Sequence, residues 1–477
     1  MSVSGNLKRA YLYLRRNGAV GTWYAATEEL QKRKEEDYRP PVFSADLLLS
    51  QRTLSETLPE KERTHFSVLV PAYETDPRHL REMLLSVLRQ TYPFFTLILA
   101  DASPGAASGE SRVKAALEEL LNGEAEGLAP ERIRYLPLAE NGGISENTNR
   151  ALEEAEGDYI LLLDHDDLLT PNALFEMARA ISEGRKAGEA PLVLYSDEDK
   201  CDGEAVTFFS PNRKPDFDRA YLYSNNYICH LLCVQRELAR KYPFRKEYDG
   251  AQDFDFILRV TGGLSQKQIC HVPQVLYHWR CHDLSTAANP ASKRYAYDAG
   301  RRAVEDHLEG IRALPLAHVG FYLPAFEGDG FALRPELAAV GGRLLSGFHG
   351  RTVGGLMEED GSLRYGDLPS DYSGYLHRAV LTQEAPALDL RCIRVRPELW
   401  EEFQKITGIP YRERLTPIRT LPREGVPAGK GGELLLDDAL LEGIEDLTTP
   451  ALAWGRRVRQ LGYQMLYYPD WGRIWKK

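Results

Sequence analysis

The sequence predicts an α/β fold, a doubly wound parallel sheet with helices on both faces. Three observations predict it. Short apolar runs without alternation recur from Phe66 onward, as expected of strands covered on both sides. Stretches with helical spacing of apolar residues separate them, so strand and helix alternate. The apolar runs also end in acids, amides or prolines, and in such sheets ligands bind beyond the carboxyl ends of the strands.

Phe66 to Val70 is the first strand and stops at Pro71-Ala72-Tyr73-Glu74; Leu80, Met83, Leu84, Val87 and Leu88 follow at helical spacing. Thr96 to Ala100 is the second strand, ending at Asp101, and Val113, Ala116, Leu117, Leu120 and Leu121 mark the next helix. Ile133 to Leu136 forms a short third strand. Asn141-Gly142-Gly143-Ile144-Ser145 then leads into a helix that Ser145 is placed to cap. The fourth strand is Tyr159-Ile160-Leu161-Leu162-Leu163, and it runs into Asp164-His165-Asp166-Asp167. If strand geometry persists through this turn, Asp164 and Asp166 share one face and His165 and Asp167 the other. Two carboxylates held about 4 Å apart repel by roughly 1 to 4 kcal/mol, and a hard divalent cation reverses that cost. Thr170-Pro171 already supplies an N-cap and first-turn pair for the following helix, so the acids are not needed as caps.

Composition bounds the function. The chain has 477 residues, 43% of them hydrophobic, enough for two or three domains with proper cores. A net charge of -11 argues against a nucleic-acid binder, which needs a basic face. Six scattered cysteines make no disulfide framework or zinc motif, and a reduced cytosol is expected. No secretory signal begins at Met1, and no apolar run is long enough to span a bilayer. Residues 1–62 are expected to be a helical segment with a basic start, Lys8, Arg9, Arg15 and Arg16 among Tyr11, Leu12 and Leu14, suited to peripheral contact with an anionic membrane or to docking on an acidic protein body.

An ordered set of motifs resembles glycosyltransferase family 2. It comprises Val68 to Glu74, Ser86 to Tyr92, Asp101, Asn141 to Ser145, Asp164 to Asp167, Tyr195 to Asp199, Gln252-Asp253-Phe254-Asp255 and Leu276-Tyr277-His278-Trp279-Arg280. Any one is weak, but their order is specific, and the likeness is greatest to the branch that builds bacterial cell-surface polysaccharides. The resemblance covers roughly residues 63–310. It implies the GT-A fold, a Rossmann-like nucleotide-binding half within a mixed sheet.

The resemblance also implies roles. Pro71, Ala72, Tyr73, Glu74 and Asp101 would hold the nucleotide base, by an aromatic face and a carboxylate. Asn141, Gly143, Asn149 and His165 would complete the nucleotide-sugar site, and Arg280 would meet the pyrophosphate. Asp164 and Asp166 match the DXD motif that carries Mg²⁺ or Mn²⁺, with His278 or His282 completing the metal site. Asp253 matches the catalytic base. Asp197, Glu198, Asp199, Gln252 and Trp279 would lie on the acceptor side. His230 and Asn225-Asn226-Tyr227 fall in the same segment, with open roles. Two departures stand out: Gln252 replaces the Glu that often precedes the base, and Thr148 stands where many relatives have Arg.

Residues 311–477 are less regular. Val340 to Leu345, Arg391 to Leu399 and Gly462 to Pro469 resemble the back half of a second such domain, without its base-binding strands or DXD motif. This third should therefore be catalytically silent, and Gly425 to Gly432 a flexible loop. The expected activity is inverting, metal-dependent transfer of a sugar from a nucleoside diphosphate, UDP or dTDP, to a polysaccharide or lipid-linked glycan. The expected place is the cytoplasm or the inner membrane face. A sugar-nucleotide-forming nucleotidyltransferase is the competing class, but it needs a glycine-rich basic loop near the first strand; a non-catalytic glycan-binding scaffold is the other.

Overall fold

The computed structural model describes residues 38–123, 128–281, 294–316, 320–347, 350–369, 372–420 and 429–475. The basic N-terminal stretch, His282 and the first half of the Gly425 loop lie outside them, whereas Lys430 to Gly432, expected as loop, belong to a strand paired with Glu413–Arg419. The chain divides into two compact units, one of residues 37–217 and 226–307, the other including 218–225 and 308–477.

The first unit holds strands β1 (Phe66–Ala72), β2 (Phe95–Asp101), β3 (Ile133–Pro137), β4 (Tyr159–Leu162), β5 (Leu168–Leu169), β6 (Val193–Asp202), β7 (Phe208–Asn212), β8 (Leu232–Gln235) and β9 (Ile269–Cys281). They form one sheet in the order β3-β2-β1-β4-β8-β6-β9-β5, with β7 on β6. The sheet is mixed, as the GT-A resemblance implies, and the parallel arrangement read from the strand-helix series holds for its first four strands. Strands β3, β2, β1 and β4 run parallel, as do β6 and β9, but β8 lies antiparallel between β4 and β6. The chain reverses at the hairpin between β6 and β7, so β8, like β7, runs antiparallel to β6, which a strand-helix count does not register. All seven residues of β1 are buried, and fully burying each of its valines and leucines stabilises the fold by about 1.5 to 3 kcal/mol.

Helix Pro77–Leu88 begins on Asp76, whose carboxylate accepts from the Arg78 N–H at 2.9 Å, with Pro77 in the first turn. Its stripe of Leu80, Met83, Leu84 and Val87 is buried against the sheet. Gly157 precedes β4 where a Cβ would sit 2.7 Å from His65 O and Ser67 N, so only glycine allows that approach.

Two expected caps are corrected. The helix Ile144–Glu153 starts one residue before Ser145, whose hydroxyl donates to Asp249 and to Arg245 O instead. Helix Ala173–Lys186 begins after Asn172, because the Thr170 hydroxyl donates to Asn172 Oδ1 rather than accepting from the helix.

In the second unit, strand Leu337–Ser346 runs parallel to Gln464–Trp475 and antiparallel to Ile393–Val395 and Thr352–Gly354. Strand β6 has the same three relations, to β9, β8 and β7. Tyr195 pairs with Leu232 and Gly341 with Ile393, while Glu198 pairs with Asn212 and Leu344 with Gly354. Counting along both strands, Arg343, Leu344 and Leu345 stand where the first unit has Asp197, Glu198 and Asp199.

Candidate functional site

Strand β4 ends at Leu162, so the chain turns before the acids and the strict alternation expected of them is lost. Asp167 is buried. It accepts the Tyr277 hydroxyl at 2.5 Å on one oxygen and the Arg280 N–H at 2.7 Å on the other. Burial first, then the charges of Asp166 and Asp164, push its carboxyl well above the usual range. The Tyr277 hydroxyl also accepts from the Asp164 N–H at 3.4 Å.

Arg280 has no exposed side-chain surface. Its Nε donates to Asp166 O at 2.6 Å, one terminal nitrogen donates to Gly203 O at 2.8 Å, and the other lies 2.7 Å from Glu82. The expected contact with a pyrophosphate is corrected, because every nitrogen faces protein. Arg280 braces the acidic turn from behind.

Asp164 points outward, its side chain 51% exposed. Asp164, Asp167 and His230 bring ligand atoms within 4.8 Å of one another. Asp167 lies buried with one hydrogen bond on each oxygen, Asp164 is the exposed member, and His230 Nε2 also lies 3.4 Å from the Cys229 thiol; Asp166 adds charge from the same turn. Carboxylate and imidazole donors of this kind suit Mg²⁺ or Mn²⁺.

His230 is held from several sides. Its ring stacks on Tyr277 at 4.6 Å between centroids, Nε2 lies 3.8 Å from Asp164 and Nδ1 lies 3.3 Å from Glu198. Lys214, wholly buried, reaches Glu198 at 3.3 Å, Ile228 O at 2.8 Å and His230 O. Burial opposes ionisation of Glu198, but Lys214, His230 and Asn212 outweigh it and lower its pKa to about 2.

Asp253 sits in the first turn of helix Gln252–Gly262. One of its oxygens accepts from Asn226 Nδ2 at 2.7 Å and from the Cys229 thiol at 3.1 Å. Burial above all, with Asp253 beside it, pushes Cys229 up to about 12, so the sulfur remains a protonated donor. Gln252 turns back to accept from the Gly250 N–H at 2.8 Å.

The remaining expected residues are distributed as follows. Pro71 and Ala72 are buried within β1, whereas Tyr73 is 45% exposed beyond its end. Glu74 has a left-handed φ of 47° and donates its N–H to Ser103 Oγ. Asp101 is buried; one oxygen accepts from the Ser103 N–H at 2.9 Å and the other from Ser111 Oγ and from Tyr135 OH at 2.8 Å. Its own turn, the next helix and β3 thus hold the carboxylate from within the protein, two of the three bonds falling on one oxygen. Asn141 accepts from the Gly143 N–H and from Asn147, and Gly143 has φ 97°, where a Cβ would meet Asp249 at 2.6 Å. Asn149 is engaged at both ends of its amide by Phe244, which corrects its assignment to the nucleotide. His165 Nδ1 is buried without a hydrogen bond.

Asp197 accepts from the Lys214 N–H and pairs with His271, and Asp199 pairs with His278 at 2.5 Å while accepting from Tyr38 OH at 2.6 Å. His278 is thus fixed on Asp199, and His230 is the imidazole brought to Asp164. Trp279 lies under Lys200, 4.8 Å from its ring centre. Sequence reasoning gave no role to His230, Asn226, Cys229 or Lys214. The signal available was a cluster of polar residues in the apolar stretch from Tyr221 to Val234.

The Glycosyl transferase family 2 profile matches residues 67–242, which contain β1 to β8. The uncharacterized protein y4gI of Sinorhizobium fredii is 40% identical over 243 residues, 51% of this chain and 25% of that protein. O-antigen biosynthesis protein RfbC of Myxococcus xanthus is 33% identical over 250 residues, 52% of this chain and 18% of that protein. The chain therefore spans a quarter or less of either. Uncharacterized glycosyltransferase YwdF of Bacillus subtilis is 30% identical over 245 residues, 48% of this chain and 80% of that protein. Among solved structures, S. aureus TarS 1-349 in complex with UDP-GlcNAc is 18% identical over 52% of this chain and 67% of that one, with a TM-score of 0.41, a likeness too slight to carry an argument. The shared identity with a glycosyltransferase over most of its length, together with the profile match across the sheet that carries the acidic turn, is sufficient: this chain belongs to glycosyltransferase family 2.

Proposed function

We propose that this glycosyltransferase is inverting and metal-dependent, and that it moves a sugar from a UDP- or dTDP-sugar onto a glycan or lipid-linked glycan during assembly of a cell-surface polysaccharide. The observation that carries the reading is that Asp164, His230 and Asp253 meet in one site, two on the acidic turn's side and one on a helix start opposite.

The acceptor hydroxyl loses its proton to Asp253 as its oxygen attacks the anomeric carbon. The bond from that carbon to the diphosphate oxygen breaks, and the diphosphate leaves with the electron pair. One displacement with one base inverts the anomeric centre. Asp164, Asp166 and His230 would hold Mg²⁺ or Mn²⁺, which supplies positive charge for the departing diphosphate. Tyr73, exposed past β1, offers a face on which a base stacks. The relative named for O-antigen biosynthesis supports the acceptor class.

The catalytic domain is read as residues 63–310. The strand pairing of the second unit supports reading residues 311–477 as a second copy of the acceptor half. Arg343, Leu344 and Leu345 stand in place of the acids that line the acceptor side of the first unit, which supports reading this copy as catalytically silent. Among the described residues no helix is long and apolar enough to cross a membrane.

A thermal-shift panel of UDP-, dTDP- and GDP-sugars with and without Mn²⁺ tests the reading. A donor present at 100 times its Kd stabilises the fold by about 2.7 kcal/mol. Stabilisation that needs Mn²⁺ supports the proposal, and none from any nucleotide contradicts it.

A further inference from the structure

We propose that Asn226 and Cys229 are positioning residues that pin one oxygen of Asp253 and leave the other to take the acceptor's proton. The inference rests on the reading of Asp253 as the base.

Both donors converge on Asp253 Oδ2, Asn226 Nδ2 at 2.7 Å and Cys229 Sγ at 3.1 Å. Among the described residues nothing else donates to Asp253. A carboxylate held this way cannot rotate to exchange its oxygens without losing two hydrogen bonds. The free oxygen is therefore set in one direction, which is what a base needs if the attacking hydroxyl must also lie in line with the leaving group.

The loop that carries the donors is itself anchored. Lys214 holds the carbonyls of Ile228 and His230, and Tyr227 packs edge-on against Tyr195 at 5.8 Å. Asn226 sits at one end of this loop and His230 at the other. One anchored segment thus faces the base with Asn226 and Cys229 and faces Asp164 with His230.

The amide of Asn226 is oriented at a cost. Its Oδ1 is buried without a hydrogen-bond partner, an arrangement that destabilises a fold and is retained where it serves a site. Turning the amide over would aim that oxygen at the carboxylate. Cys229 Sγ is aimed at the Asp253 carboxylate at 3.1 Å, so its role is that of a donor.

Asn226→Ala, Cys229→Ala and Cys229→Ser, each made in the full chain beside Asp253→Asn, form the test. Activity is read as nucleoside diphosphate release from the UDP-, dTDP- or GDP-sugar that the wild-type chain cleaves fastest with Mn²⁺, water serving as acceptor. Loss of a hydrogen bond to a charged group predicts about a ten- to hundredfold fall in kcat for Asn226→Ala. A smaller fall is expected for Cys229→Ala, with donor KM unchanged in both. Cys229→Ser keeps a donor and should restore kcat to within about threefold of wild type. A serine variant as impaired as the alanine one, or alanine variants with wild-type kcat, overturns the pinning. If Asp253→Asn is itself fully active, the base reading fails instead.

A second readout does not need turnover. Mass-mapped alkylation by N-ethylmaleimide, with Cys270 and Cys281 as internal references, reports the thiol directly. Asp253→Ala removes the group that accepts from the thiol and lies against it, so Cys229 should react several-fold faster. An unchanged rate overturns the contact between Cys229 and Asp253, whatever the activity.

Discussion

Tyr277 donates its hydroxyl to Asp167 across 2.5 Å, and the same oxygen accepts from the Asp164 N–H. One phenol on β9 thereby fixes both ends of the acidic turn that follows β4. Its ring face carries His230, so the shape of the turn and the position of the imidazole have a common support.

Tyr277→Phe keeps the ring and removes that oxygen. Asp167 is left buried with the Arg280 N–H as its donor, which should cost about 1 to 3 kcal/mol. Urea unfolding reads the loss. The released turn should also weaken Mn²⁺-dependent nucleotide binding; an unchanged urea midpoint counts against Tyr277 as the support.

Lys214→Met leaves Glu198 buried without its cation, which predicts destabilisation of about 3 to 5 kcal/mol. Glu198→Gln introduced into that variant should recover part of it. The wild-type pair also has a pH signature. The Glu198 pKa is lowered in the fold, so its contribution is present above the ordinary value of 4.5 and is lost as pH falls toward about 2. The shift corresponds to about 3 kcal/mol. Unfolding free energies measured from pH 5.5 to 2.5 should converge for wild type and Lys214→Met.

The second unit has the opposite dependence. Asp218 caps the helix Arg219–Ser224 and accepts from the Glu384 N–H, while Glu384 accepts from the Arg219 N–H. Burial first, then Glu384, raises Asp218 to about 8. The folded state holds its proton more tightly, so stability from this group is full below the usual carboxyl pKa and falls as pH rises toward 8, by up to about 1.4 kcal/mol per pH unit. Asp218→Asn should flatten the decline between pH 5 and 8 in urea melts. Parallel slopes for both proteins would remove Asp218 as its source.

Asp164→Ala and His230→Ala should each lose the Mn²⁺ dependence of donor binding, roughly a hundredfold in Kd at saturating metal. His278→Asn should retain it, because His230 and not His278 is the imidazole that lies against Asp164. Titration calorimetry distinguishes them, and the reverse pattern would return the metal site to His278.

The parallel half of the sheet was legible because β1, β2 and β4 are apolar runs, and burial on both faces requires such runs. The acidic turn was legible because it follows one. Less of the site could be read locally. Asp101 lies at the end of β2, as expected, but its carboxylate is also held by Ser111 and Tyr135, far along the chain. Arg280 has the charge of a phosphate ligand and the burial of a core residue, and burial depends on Gly203 and Glu82, which no spacing predicts. His230 reaches Asp164 because β8 lies antiparallel beside β4, with Leu232 opposite Leu162, a contact set by sheet order and not by any motif.

The central claim is that this site performs glycosyl transfer with Asp253 as the base. Asp253→Asn tests it most directly, by comparing transfer from the preferred sugar nucleotide with binding of that nucleotide in the presence of Mn²⁺. The account predicts that binding stays within a few-fold of wild type while kcat falls by at least about a hundredfold. An Asn variant that binds and transfers at the wild-type rate would contradict it.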